Sequence, residues 1–485
     1  MIARRSAVAL GVALAAAAIL IFAFEKPMGS PQAAPEASNK NPYMEEYSLP
    51  AGSGPNGLIV DRQGTVWVAS SKSDLLYSLD GSRVLKNYEI GDGSHQYFRP
   101  GQNTSMVWTM VQDKDGMIWF SALGSGIIWR FDPSDHSFHA LDSKAGAAFQ
   151  MKADPQMGDV WFTTLEGNSL GVIQKDPASP YGYTISSFDL GNGTGPAGLY
   201  LRGQSVWVTE ITSQKVVKYS IGMKDGLVSG VQKIGEIPPD NQTQLSAPTD
   251  VVAGNDSLWL TEHETSFLTQ YILGENQLVR YPTSQSPYHA TTLPFWIRPV
   301  EGGNYLWFNE HEGNKLALFD KGNKTMVEYD IPSRPKDGYL TYPLNIATDP
   351  RDNMVLWFSE WNTDKIGRID GHTKIPFSIS ASTKTVVLNP DASKPAEVDL
   401  KVNGTSPFSG NVVNLNASSS MELAAGFGSV DVSIEPGSID LGSNHDAKLF
   451  LTNYSAPPGN YTLGVSVSNG AVTKTIFLGL VIPRG

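Results

Sequence analysis

The chain has 485 residues, enough for two or three domains with cores of their own. A formal net charge of −12 removes nucleic acid from the candidate partners, because phosphate recognition needs a basic footprint. With no Cys, disulfides, thiolate metal sites and Cys nucleophiles are excluded, while 47 Gly and 31 Pro give the turn-rich balance of an all-β chain.

The N-terminus reads as an export signal. Arg4 and Arg5 precede an uncharged, Ala-rich run from Ser6 to Phe24, and a positive segment followed by an apolar one is an address for the secretory route. The run is roughly 19 residues, just long enough to span a bilayer. Residues 1–26 are therefore either a cleaved signal peptide or a retained membrane anchor. Either way, the positive-inside rule places the rest outside, secreted or held on the outer face of the membrane. Residues 27–43, with Pro27, Pro31, Pro35 and Pro42, form a flexible linker. Asn-x-Ser/Thr sequons at Asn103, Asn192, Asn241, Asn255, Asn323, Asn403, Asn416, Asn453 and Asn460 fit an exported glycoprotein.

From residue 44 to 375 the sequence repeats. Trp67, Trp119, Trp161, Trp207, Trp259, Trp307 and Trp357 each sit in a short apolar strand, among them TVWVAS, MIWFSA, YLWFNE and VLWFSE, at a spacing of 42 to 52 residues. That period suits one four-stranded propeller blade. A short strand and a polar turn precede most of these Trp residues, such as Asp61-Arg62-Gln63-Gly64; a third strand ending in Asp follows, then a fourth such as MVEYDIP at 326–332. After the seventh Trp no fourth strand follows Asp370, yet Glu46-Tyr47-Ser48-Leu49-Pro50 stands before the first and matches Glu328-Tyr329-Asp330-Ile331-Pro332. The N-terminal segment is thus expected to supply the outer strand of the last blade and close a seven-bladed β-propeller.

WFSEWNTDKIGRID (357–370) and WFNEHEGNKLALFD (307–320) resemble the repeats of the streptogramin (virginiamycin B) lyases, over about 330 residues. That family consists of seven-bladed propellers that open a macrocyclic depsipeptide by elimination. The resemblance implies a general-acid/base His in a Pro-His-Gly opening and a magnesium-binding Glu three residues after the Trp. The Glu positions are filled in the last four repeats by Glu210, Glu262, Glu310 and Glu360; the first three carry Ser70, Ala122 and Thr164. Four carboxylates at one end of a channel would repel, so a cation such as Mg2+ or Ca2+, or shared protons, would be expected. The His position instead holds Asn56, Ala197, Thr249, Phe295 and Leu344. His263 and His311, each directly after a Glu, and His289 in the 282–294 loop are the candidate catalytic bases. Trp108, Arg99, Trp296, Tyr342 and Trp361 are expected to rim the ligand site.

Beyond residue 375 the Trp pattern stops. Short alternating strands such as AEVDLKVNG and KTIFLGLVI, with frequent turns, suggest an immunoglobulin- or fibronectin-like β-sandwich over 376–485. No phosphate loop or dinucleotide fingerprint is present, so no organic cofactor is expected. Two readings stay open for a monomeric, extracytoplasmic chain: a metal-assisted carbon–oxygen lyase acting on a cyclic or peptidic ligand, or a non-catalytic surface propeller recognising protein or glycan.

Overall fold

The computed structural model describes residues 41–484, apart from 82, 92–106, 124, 180–181, 240–244, 287–288, 301, 336–339, 389–393, 405–411, 422–428 and 443–444. The export segment and most of the linker lie outside the described residues, as do Arg99, Asn103 and Asn241. Among the described residues there is no α-helix, and so none long and apolar enough to cross a membrane.

The chain divides into two compact units. The first, residues 49–61 and 65–253 of the described chain, holds four four-stranded antiparallel sheets in sequence order. Sheet two is typical: Val107–Gln112, Ile118–Ala122, Ile127–Asp132 and Ser137–Asp142 pair each with the next. The Trp strand is always second and buried along its length, because both faces of a propeller sheet are covered. The polar turn before it is held by its Asp. Asp113 accepts the Trp119 indole N–H at 2.8 Å and the backbone N–H groups of Asp115 and Met117 at 2.9 and 3.0 Å; Asp61 accepts the Trp67 indole N–H at 2.8 Å. Hydroxyls two residues past a Trp fasten one sheet to the next: Thr163 donates to the Ala197 carbonyl and Thr209 to that of Thr249.

The second unit, residues 37–48, 62–64 and 254–485, carries the fifth to seventh Trp strands. Sheet six runs Pro294–Pro299, Tyr305–Glu310, Lys315–Asp320 and Thr325–Asp330. In sheet seven, Pro343–Asp349, Asp352–Glu360 and Lys365–Asp370 are completed by Met44–Ser48 from the N-terminal segment, antiparallel with Tyr47 opposite Ile366. The match to sheet six extends to the side chains. Tyr47 packs on Trp357 with ring centroids 5.4 Å apart, and Tyr329 packs on Trp307 at 5.8 Å. The expected outer strand is in place, and such an aromatic pair adds about 1 kcal/mol beyond the area it buries.

The C-terminal strands fall into two sheets, antiparallel except where Thr385–Val387 pairs parallel with Val472–Ile482. One contains Phe377–Ala381, Ala396–Gly404, Asp446–Tyr454 and Ser429–Glu435. The other is continuous with sheet six: Thr325–Asp330 pairs antiparallel with Val472–Ile482, which pairs with Gly459–Ser468 and then Val412–Ser419. The outer edge of sheet six is therefore a paired strand, a continuity that no pattern in the sequence announces.

Deleting residues 1–48 should lower the melting temperature well below that of a 1–40 deletion, because only the first removes the strand that stacks on Trp357. Equal melting temperatures would show that the strand contributes nothing.

Candidate functional site

The four Glu residues three past a Trp are buried, with exposures of 4% for Glu210 and 0% for Glu262, Glu310 and Glu360. Each engages its own sheet. Glu210 accepts from Ser213 Oγ at 2.6 Å and from the Tyr219 hydroxyl at 2.8 Å, which raises the phenol pKa, burial being the larger cause. Glu262 is held by Arg280 through Nε at 2.8 Å and Nη2 at 3.1 Å, and by the Thr269 hydroxyl.

Sheets six and seven repeat one device. Glu310 stands opposite Lys315, and Glu360 opposite Lys365. Lys315 donates to Ser284 and lies 3.8 Å from Glu328, whose carboxylate also takes the Ser284 N–H and hydroxyl, both at 2.8 Å. Lys365 donates to Ser333 at 2.8 Å and to Glu46 at 2.9 Å, and Glu46 takes the Ser333 hydroxyl at 2.7 Å. With one Lys for two carboxyls, burial and the Glu328 charge hold the Glu310 pKa well above the usual carboxylate range; burial and Glu46 do the same for Glu360.

The expected metal ligands Glu210, Glu262, Glu310 and Glu360 lie in four different sheets. Among the described residues no three His, Asp or Glu side chains are grouped to hold a metal ion. Side chains on a strand alternate between the two faces of their own sheet, so these carboxylates lean onto the third and fourth strands. A carboxylate already bidentate to Arg280, and another facing Lys315, are a poor donor set for Mg2+ or Ca2+. Arg280, Lys315, Lys365, Ser284 and Ser333 were not singled out from the sequence. Their signal is a Lys five residues after the Glu in Glu210/Lys215, Glu310/Lys315 and Glu360/Lys365, broken in repeat five, where Phe267 takes the place and Arg280 substitutes.

The His residues do come together. His263 Nε2 and His311 Nδ1 are 3.2 Å apart. Phe295, which fills the position expected of the family His, packs against both, with ring centroids 4.9 Å from His263 and 5.4 Å from His311. Tyr342 stands edge-on to His311 at 5.1 Å. His311 is fully buried, and its Nε2 has no hydrogen-bond partner among the described residues. Burial pulls the His263 pKa down to about 4; burial and the neighbouring His263 and His289 hold His311 well below its ordinary value. His289 keeps 31% side-chain exposure, with Nδ1 3.2 Å from Glu312 Oε2. The backbone here is strained: Leu293 (φ 49°) and Tyr342 (φ 53°) adopt left-handed conformations just before Pro294 and Pro343, where Gly54 and Gly195 serve in sheets one and four.

Of the expected rim, only Tyr342 and Trp361 keep partial exposure, and the Trp361 backbone N–H donates to the Tyr342 carbonyl at 3.2 Å. Trp296 is 1% exposed and packs on Phe295 at 4.5 Å, while Trp108 is 5% exposed and packs on Phe149 at 5.8 Å. Both are core residues, because their inner strands are covered on both faces. Arg99 lies outside the described residues.

Residues 93–385, well over half of the chain, match the virginiamycin B lyase family. The chain belongs to that family. Solved structures share its fold. A streptogramin B lyase structure is 23% identical with a TM-score of 0.51, covering 67% of this chain and 96% of its own. The virginiamycin B lyase from Staphylococcus aureus is 22% identical with a TM-score of 0.50, covering 67% and 98%. A catalytically inactive variant of the latter, solved with quinupristin, has the same identity, TM-score and coverage. No curated protein matches the sequence.

Two outcomes follow for this family member. Arg280→Met leaves the Glu262 carboxylate buried and unpaired, and should cost about 3–5 kcal/mol in chemical denaturation. Burial holds the His263 imidazole down at about 4 in the folded chain, against an ordinary value of 6.5 when unfolded. The unfolded state therefore takes up the proton first, and stability present above pH 6.5 is lost as the pH falls toward 4. His263→Phe should flatten the melting temperature across that window, and an unchanged acid slope would contradict the assignment.

Proposed function

We propose that this family member is an extracytoplasmic ligand-binding propeller that has given up metal-assisted elimination. Phe295 carries the reading: an apolar ring stands where the resemblance implies the base, with His263 and His311 folded onto it. A histidine with a pKa near 4 is neutral at pH 7, yet it is a weak acceptor for a proton on carbon, since general-base efficiency is greatest when the pKa lies near the working pH. The same rings, with half-buried Tyr342 and Trp361 and the His289–Glu312 pair, offer flat apolar surface and a few polar atoms to a cyclic or peptidic ligand. The Arg-Ala-rich leader and the surplus of sequons support export and glycosylation. The alternating C-terminal strands support an immunoglobulin- or fibronectin-like sandwich appended to the propeller.

A second reading rests on His289, which keeps 31% side-chain exposure and is backed by a carboxylate as an orienting group backs a catalytic imidazole. In that reading His289 removes the α-proton of a depsipeptide and the β carbon–oxygen bond breaks.

Quinupristin, the ligand in a related structure, separates the two. Incubation with Mg2+ should give binding by calorimetry without ring-opened product by chromatography. Ring opening that disappears in His289→Ala would replace the binding reading with the lyase one, and failure of quinupristin to bind at all would remove cyclic depsipeptides as the ligand class.

A further inference from the structure

The continuous sheet of the second unit creates a second concavity, built from different residues from the histidine cluster. Where Thr325–Asp330 passes into Val472–Ile482, a cleft of about 830 Å³ opens. One wall is the sheet face carrying Asn414, Ser468 and Thr473 side by side across three strands, with Asn416 and Ser466 in the next row. Val413, Leu415, Val465 and Val467 are buried, and alternation sends them to the opposite face. The facing wall is formed by Ser284, Gln285, Lys315, Asp330 and Arg334. The two walls are tied together by Asn41, whose amide N–H groups donate to the carbonyls of Asp330 and Ala471, both at 2.7 Å.

The chemistry of these walls selects a ligand class. The sheet face is uncharged and made of amides and hydroxyls, groups that can both give and accept hydrogen bonds. An anion finds little available cation: Lys315 is engaged by Ser284 and Glu328, and the Arg334 guanidinium donates to the Ile331 and Ser333 carbonyls. An apolar ligand finds only Ile331, Pro332 and Ala471 among the lining residues. Sugar hydroxyls, each donor and acceptor at once, match the wall. The paired strands also fix its side chains before any ligand arrives, which lowers the ordering cost of binding.

We propose that this cleft is a carbohydrate-binding site, with Asn414, Asn416, Ser468 and Thr473 as its hydrogen-bonding face. Two sources could supply the sugar. One is a free neutral oligosaccharide. The other is the chain's own glycan, because Asn416 begins a sequon at the cleft, where its amide N–H donates to Gln285 Oε1 at 3.2 Å and its Oδ1 accepts the Ala417 N–H at 2.8 Å.

The test uses the full exported chain made in a bacterium that lacks N-glycosylation, probed by saturation-transfer NMR with glucose, galactose, mannose and N-acetylglucosamine oligosaccharides. At least one should bind. Asn414→Ala with Asn416→Ala should weaken it about tenfold, as expected for two lost hydrogen bonds. Ser468→Trp, which fills the cleft, should abolish it, while His289→Ala leaves it unchanged; melting temperatures near the parent's confirm that the variants fold. In a glycosylating host, a sugar on Asn416 found by peptide mass spectrometry, with loss of free-saccharide binding, assigns the cleft to the attached glycan. The proposal is overturned if no saccharide binds the bacterial product and Asn416 carries none in the glycosylating host, or if Ser468→Trp binds as the parent does.

Discussion

A carboxylate shut inside a sheet must meet a cation or keep its proton, because an isolated charge in a low-dielectric interior is too costly to maintain. That constraint organises the second unit. Glu262 meets it with a bidentate guanidinium. Glu310 and Glu360 meet it by keeping a proton: Lys315 is bonded to Ser284 and paired with Glu328, Lys365 is bonded to Glu46 and Ser333, and burial with the second carboxyl holds both pKa values well above the usual carboxylate range. The Ser in the loop before each of these two sheets completes the arrangement, so a charged network inside one sheet also fixes the entry of the chain into that sheet. The glutamates that a family resemblance marks for metal are thereby turned to structural use.

The histidine cluster follows from the same geometry. Residues four past the Trp lie just beyond the strand end, where the following turn leaves room for a ring. In sheets five and six these residues are His263 and His311, brought to 3.2 Å from one another with Phe295 against both. The two imidazoles are tilted 32° to one another, and Tyr342 stands edge-on to His311. Leu293 and Tyr342 adopt left-handed conformations before their prolines at this point, as Ala247 does before Pro248.

The C-terminal region takes part through backbone pairing rather than as a tethered appendage. Strand addition onto sheet six protects an edge that would otherwise be open to association with other chains. It also places a polar sheet face opposite the Lys315–Glu328 network, so the structural ion cluster of one sheet becomes a wall of the cleft.

The sequence by itself determined the repeat, the place of each Trp strand and the borrowed outer strand, read at residues 46–50 and found at Met44–Ser48, because these depend on local alternation and on a pattern that recurs seven times. It also marked His263, His289 and His311 as residues of interest. Only the tertiary structure decided that the four glutamates are buried within their sheets, that Trp108 and Trp296 are core, and that Val472–Ile482 and the strands paired with it extend sheet six. The reason is physical. Periodicity reports which side of a strand a residue occupies, whereas the partner across a sheet comes from elements far apart in the chain, as Glu46 with Lys365 and Glu328 with Thr475 show. Such partners are chosen by register and packing, which no single stretch of sequence encodes.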